Sequence, residues 1–144
     1  MLFCVLDTNV IVAALRSSVG ASRQLLLLAL HHRFVLLLSV PLLLEYEAVL
    51  TRPEHLAASG LTAAEVVSVL DDLAAVAKPV RLSFRWRPQL PDADDDMVLE
   101  TAINGGSTAI VTLNQRDFAG ASKRFACAIW SPGEALLNIR SSMR

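Results

Sequence analysis

This sequence has little cysteine and little charge, and each shortage argues against particular classes of protein. Its two cysteines, Cys4 and Cys127, lie in apolar segments without the spacing of metal ligands, which argues against a disulfide scaffold or a zinc site. We expect two buried thiols in a cytoplasmic protein. Charged residues make up 19% of the chain and nearly cancel, to a net charge of −1. Any binding of nucleic acid therefore has to depend on local basic patches.

Long apolar runs are also missing, although 53% of the residues are hydrophobic. The most apolar region, residues 25–50, is interrupted by His31, His32 and Arg33 and later by Glu45. No run reaches the roughly 18–20 residues of a spanning helix, and the first residues lack the basic start of a signal peptide. We expect a well-buried core, no membrane association, and apolar surface for a homodimer or higher homo-oligomer.

Apolar segments with strand character alternate with segments of helical periodicity along the chain. Strand patterns cover residues 2–7, 34–39, 108–114 and the segment from 125, with a short strand near 78. Helical patterns lie between them, and Thr62 and Glu65 have the spacing of a capping box. The alternation predicts one α/β domain over residues 1–144, a three-layer α/β/α sandwich around a mainly parallel sheet.

Acidic and amide side chains gather where the predicted strands end. Asp7 ends the first strand, and Glu45 lies about one turn into the helix after the second. Asn114 ends the fourth strand, with Asp117 in the next few residues. The segment LPDADDDMVLETA adds aspartates at the start of the preceding helix, namely Asp92, Asp94, Asp95 and Asp96. Since open α/β sheets bind ligands beyond the carboxyl ends of their strands, these groups are predicted to approach one edge.

Carboxylates gathered in a partly desolvated cleft repel one another unless a cation compensates them. Oxygen ligands without cysteine or histidine suit Mg²⁺ or Mn²⁺, which can activate water for an in-line phosphoryl displacement. Each group also has a simpler interpretation when taken alone. The aspartate run can be a solvated first turn that complements the helix dipole, Asp7 a helix cap, and Glu45 a surface residue. Their ordered occurrence together favours a shared metal site.

In four places the sequence resembles the PIN-domain family. VLDTNVIVAAL matches the family's opening motif, LSVPLLLEYEAVL its second, and DADDDMVLETAINGGSTAIVTLNQRDF its third and fourth. The similarity spans nearly the whole chain and is greatest to the VapC-like branch, toxins of toxin–antitoxin pairs. The resemblance implies a parallel sheet, a metal-dependent ribonuclease acting on RNA, an antitoxin protein as partner, and frequent dimerisation.

The resemblance also implies which acids bind the metal and act in catalysis. Asp7 and Glu45 match the first two motifs and would be ligands of Mg²⁺ or Mn²⁺. Asp95 has the family's spacing for the third acid, and Asp92 and Asp96 are close alternatives. The sequence does not decide among these three aspartates.

The fourth motif departs from the family pattern. Asn114 stands where many relatives have aspartate, so Asp117 is predicted to supply the missing charge, and one tightly held ion is expected. Thr8, Asn9 and Thr112, together with Asn114, would support the carboxylates by hydrogen bonding.

Basic residues near these motifs would have to bind a polyanionic substrate. KPVRLSFRWR interleaves basic residues, among them Arg85 and Arg87, with aromatic residues, a mixture that holds single-stranded RNA by phosphate contact and stacking. Arg116 and Lys123 follow the fourth motif and would form the opposite rim. The alternative for the first segment is a strand with an exposed basic face and its aromatic residues in the core. The three histidines are expected to be structural or exposed.

Together, the acidic residues and the resemblance to the PIN-domain family predict an endoribonuclease that hydrolyses phosphodiester bonds with metal-activated water, and the resemblance implies that it acts as a toxin. A catalytically weak or inactive PIN-like module that binds RNA or a protein is the alternative, which the neutral Asn114 makes tenable. A phosphotransfer enzyme with an aspartyl-phosphate is disfavoured, because DTN stands where a DxD motif would be required.

Overall fold

The computed structural model describes residues 1–83 and 93–143, except for the side chains of residues 93–95. The described strands are β1 (Phe3–Leu6), β2 (Val35–Leu38), β3 (Lys78–Pro79), β4 (Ala109–Val111) and β5 (Ala128–Trp130). The described helices are α1 (Thr8–Arg16), α2 (Ala21–Leu30), α3 (Val40–Leu50), α4 (Pro53–Ser59), α5 (Ala63–Val76), α6 (Ala93–Gly105), α7 (Gln115–Phe125) and α8 (Pro132–Ser142).

The described strands form one parallel sheet in the order β3-β2-β1-β4-β5. Because parallel crossovers are right-handed, α1 to α5 are expected on one face of the sheet and α6 and α7 on the other. The packing agrees with this assignment, since α1 contacts α2, α3 and α4, and α6 contacts α7. Helix α3 also contacts α6, through residues that include Ser39 and Thr101. The predicted α/β/α sandwich with a parallel central sheet is confirmed.

The strands are apolar because helices cover both faces of the sheet. Cys4, Val5 and Leu6 of β1 are inaccessible to solvent, as is every residue of β4. In the leucine-rich helix α2, Leu25 and Leu26 are buried and Leu27 is 42% exposed. The buried leucines of this helix therefore belong to the core of the fold.

Side-chain caps define where two of the helices begin. At the start of α5, Thr62 and Glu65 each accept a hydrogen bond from the other's backbone N–H, which is the predicted capping box. Ser131 and Glu134 form a second capping box at the start of α8, and Pro132 occupies the first position of that helix. These caps end the segments before them and set the direction of each helix.

Helix α7 is the one described helix that the sequence pattern does not predict. Its buried side chains are Phe118 and Ala121, so its apolar face is small, and Gly120 lowers helix propensity. The charges agree with a helix, since Asp117 lies in the first turn and Lys123 in the last. The helix places its polar first turn directly after the end of β4.

Within the described residues, no single helix is long and apolar enough to cross a membrane. Helices α1 and α2 meet that length and composition only as a pair, and the chain bends by 102° between them.

Candidate active site

The direction in which strands are added to the sheet reverses between β1 and β4. The chain runs outward from β1 through β2 to β3 and then crosses back to β4 and β5 on the other side. Such a reversal leaves a crevice at the carboxyl ends of the two strands, where α/β proteins bind their ligands. Asp7 follows β1 and Thr112 follows β4, so both residues lie at this crevice.

The carboxylate of Asp7 is buried and held in one orientation. Its Oδ1 accepts a hydrogen bond from the backbone N–H of Thr8 at 2.8 Å, and its Oδ2 accepts one from Thr112 Oγ1 at 2.7 Å. Asp7 is 6% exposed and also begins helix α1 as its N-cap. Hydrogen bonds to both oxygens define where the carboxylate points.

The turn after β4 is tied to the start of α1 by further hydrogen bonds. Asn9 Oδ1 accepts from the backbone N–H of Leu113 at 3.2 Å, and Thr112 Oγ1 accepts from the backbone N–H of Asn114 at 2.9 Å. The structure thus brings the four predicted supporting residues together around Asp7. Thr8 and Asn114 contribute these bonds through their backbone rather than through their side chains.

Helix α3 meets the end of β1 through a tyrosine that the sequence analysis did not single out. Tyr46 is fully buried, and its hydroxyl donates a hydrogen bond to the carbonyl oxygen of Leu6. Burial, and to a lesser extent the negative charge of Asp7, raise the pKa of Tyr46 above its ordinary value, so the hydroxyl stays protonated. Glu45 is the half-buried neighbour of Tyr46 in this helix.

Helix α6 buries polar side chains where a solvated helix face would expose them. Asp96 and Glu100, one turn apart, are each 1% exposed, and Thr101 is inaccessible to solvent. Thr101 Oγ1 donates to the carbonyl oxygen of Met97, so Ser39 Oγ is the donor in the 2.7 Å hydrogen bond between Ser39 and Thr101. Because Asp96 is buried, it does not belong to a solvated first turn of the helix.

Several predicted site residues are not described, and one lies in the first turn of α7. Asp92, Arg85 and Arg87 lie outside the described residues, and Asp95 belongs to α6 but its side chain is not described. Asp117 is half-buried in the first turn of α7, where its backbone N–H donates to Asn114 at 3.0 Å. Among residues 1–83 and 96–143, no three His, Cys, Asp or Glu side chains form a group that could hold a metal ion.

The chemistry of the donors fits a hard cation. Asp7, Glu45 and Asp96 offer carboxylate oxygens, the ligands that Mg²⁺ and Mn²⁺ prefer. The cysteines are poor competitors, because burial, with a smaller effect of Cys127, raises the pKa of Cys4 to about 12, and burial also raises that of Cys127. A thiol that keeps its proton is a weak metal ligand and nucleophile.

Basic side chains lie along α7, which begins after β4 and runs back toward the start of the parallel strand β5. Arg116 and Lys123 are both exposed, at the two ends of the helix and two turns apart on the same side. His31 and His32 are exposed in the turn before β2. They lie at the amino ends of the parallel strands, whereas Asp7 lies at the carboxyl ends. Arg116 therefore lies beside the end of β4, whereas Lys123 lies about two turns away, toward the start of β5.

Comparisons with known proteins agree with this fold. The family model described as PIN domain matches residues 4–116 of the chain. A chain in the crystal structure of VapBC2 from Rickettsia felis bound to a DNA fragment from their promoter is similar, with a TM-score of 0.61 and 16% sequence identity. The match covers 90% of this chain and 98% of that chain, and at such identity it concerns the fold alone. No curated protein matches the sequence significantly.

Proposed function

Because this chain belongs to the PIN-domain family, we propose that it is a Mg²⁺- or Mn²⁺-dependent endoribonuclease and the toxin of a toxin–antitoxin pair. The observation that carries the proposal is the buried carboxylate of Asp7, held by Thr112 at the point where the strand order reverses. A simple helix cap needs neither burial nor a second hydrogen bond from a residue that follows another strand. Both are useful for a carboxylate that has to receive a cation in a defined position.

The metal ligands in this proposal come from three elements. Asp7 follows β1 and Glu45 belongs to α3, while the third ligand is an aspartate at the start of α6. Asp95 is the first choice by its match to the family motif, with Asp92 and Asp96 as alternatives. When bound, the ion supplies a Lewis acid that activates water and offsets the charge that develops on the phosphate.

The chain's own residues position these acids. Thr112 and the backbone N–H of Thr8 bind opposite oxygens of Asp7, so rotating that carboxylate would break both bonds. Asn9 fixes the turn after β4. Asn114 and Asp117 are proposed to orient the attacking water from the start of α7, with Asp117 as the charged member of the pair.

Substrate RNA would approach over the basic groups at the rim of this crevice. Arg116 and Lys123 on α7 are proposed to bind its phosphates, and Arg85 and Arg87 to do so from the segment before α6. Their positive charge would offset the repulsion between a polyanion and an acidic site. In this hydrolysis the water oxygen would bond to phosphorus as the opposite P–O bond breaks, and the leaving oxygen would take up a proton.

An antitoxin is the proposed protein partner. The similar structure from Rickettsia felis is VapBC2 bound to a DNA fragment from its promoter. We propose, by this likeness, that residues 1–144 act as one domain in the cytoplasm, as a homodimer or higher homo-oligomer that an antitoxin inhibits. A small open reading frame directly upstream in the genome would support this role.

The substitution Asp7→Asn tests the nuclease. It preserves the size of the side chain but removes the charge that would bind a cation, so Mn²⁺-dependent cleavage of single-stranded RNA should fall at least about 100-fold. Asp71→Asn is the matched control, because Asp71 is exposed on α5. Cleavage is measured with purified protein and a labelled RNA, with and without chelator.

Equal cleavage by wild type and Asp7→Asn would contradict the proposal, since the activity would then come from another site or a contaminant. A wild-type protein that neither cleaves RNA nor responds to Mn²⁺, yet retains RNA or protein binding, would identify the second candidate. That candidate, a PIN-like binding module without activity, is favoured by one observation, the neutral Asn114 at the N-cap of α7.

A further inference from the structure

We propose that Tyr46 is a positioning residue for Asp7, because its hydroxyl holds the peptide group from which Asp7 extends. The inference rests on the proposed function, since it assigns Tyr46 a part in binding the same ion. Tyr46 touches neither the proposed ion nor the substrate in this role. It acts through the backbone.

The peptide group between Leu6 and Asp7 is held from both of its polar ends. Its carbonyl oxygen, that of Leu6, accepts the hydrogen bond of Tyr46 from helix α3. Its N–H, that of Asp7, donates to the carbonyl oxygen of Val111 in β4 at 2.9 Å. A peptide group is planar and moves as a unit, so bonds at both ends determine where the Cα of Asp7 lies and how its side chain leaves the backbone.

The bond of Tyr46 lies where it is difficult to replace. Both the ring of Tyr46 and Leu6 are inaccessible to solvent. Water therefore does not take over the hydrogen bond when the hydroxyl is removed, and the strand end is left with an unsatisfied carbonyl group. The carbonyl group of Leu6 could reach another donor only if the peptide group rotated, and Asp7 would rotate with it.

The same bond also relates two proposed ligands to each other. Tyr46 is adjacent to Glu45 in α3, so its bond to Leu6 sets the position of this helix relative to the end of β1. The start of α3 is held to α6 by the buried pair of Ser39 and Thr101. Residues that orient metal ligands in this way typically change metal affinity or activity by about 10–100-fold when they are replaced.

The first test compares Tyr46→Phe with Thr51→Val. The phenylalanine keeps the buried ring and loses the hydroxyl alone. Thr51 is a control in the same helix, because its hydroxyl also donates to a backbone carbonyl, that of Glu47 at 2.7 Å, but at the far end of α3. Calorimetric titration with Mn²⁺ should show about 10–100-fold weaker binding for Tyr46→Phe and unchanged binding for Thr51→Val. The kcat for RNA should fall while KM stays the same.

The outcomes separate this inference from the function on which it rests. A wild type that binds no Mn²⁺ overturns the proposed function, and with it the role of Tyr46. A wild type that binds Mn²⁺ through Asp7, with a Tyr46→Phe variant that is less stable but binds Mn²⁺ equally well, overturns the inference alone. Tyr46 would then be a residue of the core.

A second measurement does not depend on the folding of a variant. Tyr46 is the only tyrosine of the sequence, so incorporation of 3-fluorotyrosine labels this position alone. Titration with Mg²⁺ should shift the ¹⁹F resonance along the binding curve that calorimetry gives for Mg²⁺, and Asp7→Asn should abolish the shift. A resonance that stays unchanged while Mg²⁺ saturates the protein would overturn the proposal.

Discussion

At the residue scale, Glu134 shows how hydrogen bonds alone shift an exposed acid. Its Oε1 accepts from the backbone N–H of Ser131 at 3.0 Å and from Gln115 Nε2 at 2.8 Å. These bonds, that of Ser131 first, lower the pKa of Glu134 below its ordinary value. The Gln115 bond also connects the start of α7, next to the candidate site, with the start of α8.

A lowered pKa predicts stability that depends on pH. The charged form of Glu134 stabilises the folded state above the unfolded pKa of about 4.3, and this contribution is lost as the pH falls through the lower folded pKa. Glu134→Gln keeps an acceptor oxygen without the charge, so it should lower Tm at pH 7. The decrease in Tm should be smaller at pH 3. Thermal melts across this range measure the difference. Glu54→Gln, an exposed acid in the first turn of α4, is the control; an effect of Glu134→Gln that is the same at both pH values would contradict the prediction.

At the scale of elements, α3 is the helix whose position matters most for the site. It contains Glu45 and Tyr46, begins at the cap Ser39, and packs against α1, α5 and α6. Ser39 Oγ accepts from the backbone N–H of Leu42 at 3.3 Å and bonds to Thr101 at 2.7 Å. One hydroxyl therefore both begins α3 and connects it with the helix that follows the acidic segment.

Replacing the hydroxyl of Ser39 should lower the free energy of unfolding by more than replacing an ordinary cap. Ser39→Ala removes the cap and leaves a buried partner in Thr101, so unfolding free energy should fall by about 2 kcal/mol or more. Thr62→Ala removes the exposed cap of α5 and should cost about 1 kcal/mol. Urea denaturation of both variants measures the two values. Equal losses would mean that the bond between Ser39 and Thr101 contributes nothing measurable.

At the scale of the whole molecule, the net charge of −1 provides no general attraction for RNA. The salt dependence of RNA binding should therefore come from a few local contacts, and each phosphate contact with a single strand contributes about 0.7 to the slope of log Kd against log salt. Arg116→Ala and Lys123→Ala should each lower that slope by about this amount. Arg33→Ala is the control, because Arg33 is exposed in the turn before β2 and does not belong to the proposed RNA-binding residues. A slope unchanged by both α7 substitutions would place the RNA elsewhere.

Much of the candidate site was predictable because its residues stand at the ends of strongly patterned elements. Asp7 after β1 and Thr112 after β4 are within a residue of strand ends that apolar runs define. Tyr46 was not predictable, because a tyrosine in an apolar helix has the same pattern whether its hydroxyl meets a backbone carbonyl or a neighbouring side chain. The burial of Glu100 was not predictable for a similar reason, since its sequence spacing does not distinguish a buried acid from an exposed one.

The sequence by itself determined the parallel α/β sandwich and the segments that carry the acids, since apolar period, caps and turn residues are local properties of the chain. Only the tertiary structure decided that Thr112 bonds to Asp7 and Tyr46 to Leu6, across separations of 105 and 40 residues. It likewise decided that α7, with its sparse apolar pattern, is a helix. The reason is physical: hydrogen-bond partners distant in sequence are selected by how helices pack on the sheet, and packing depends on the whole set of buried side chains together.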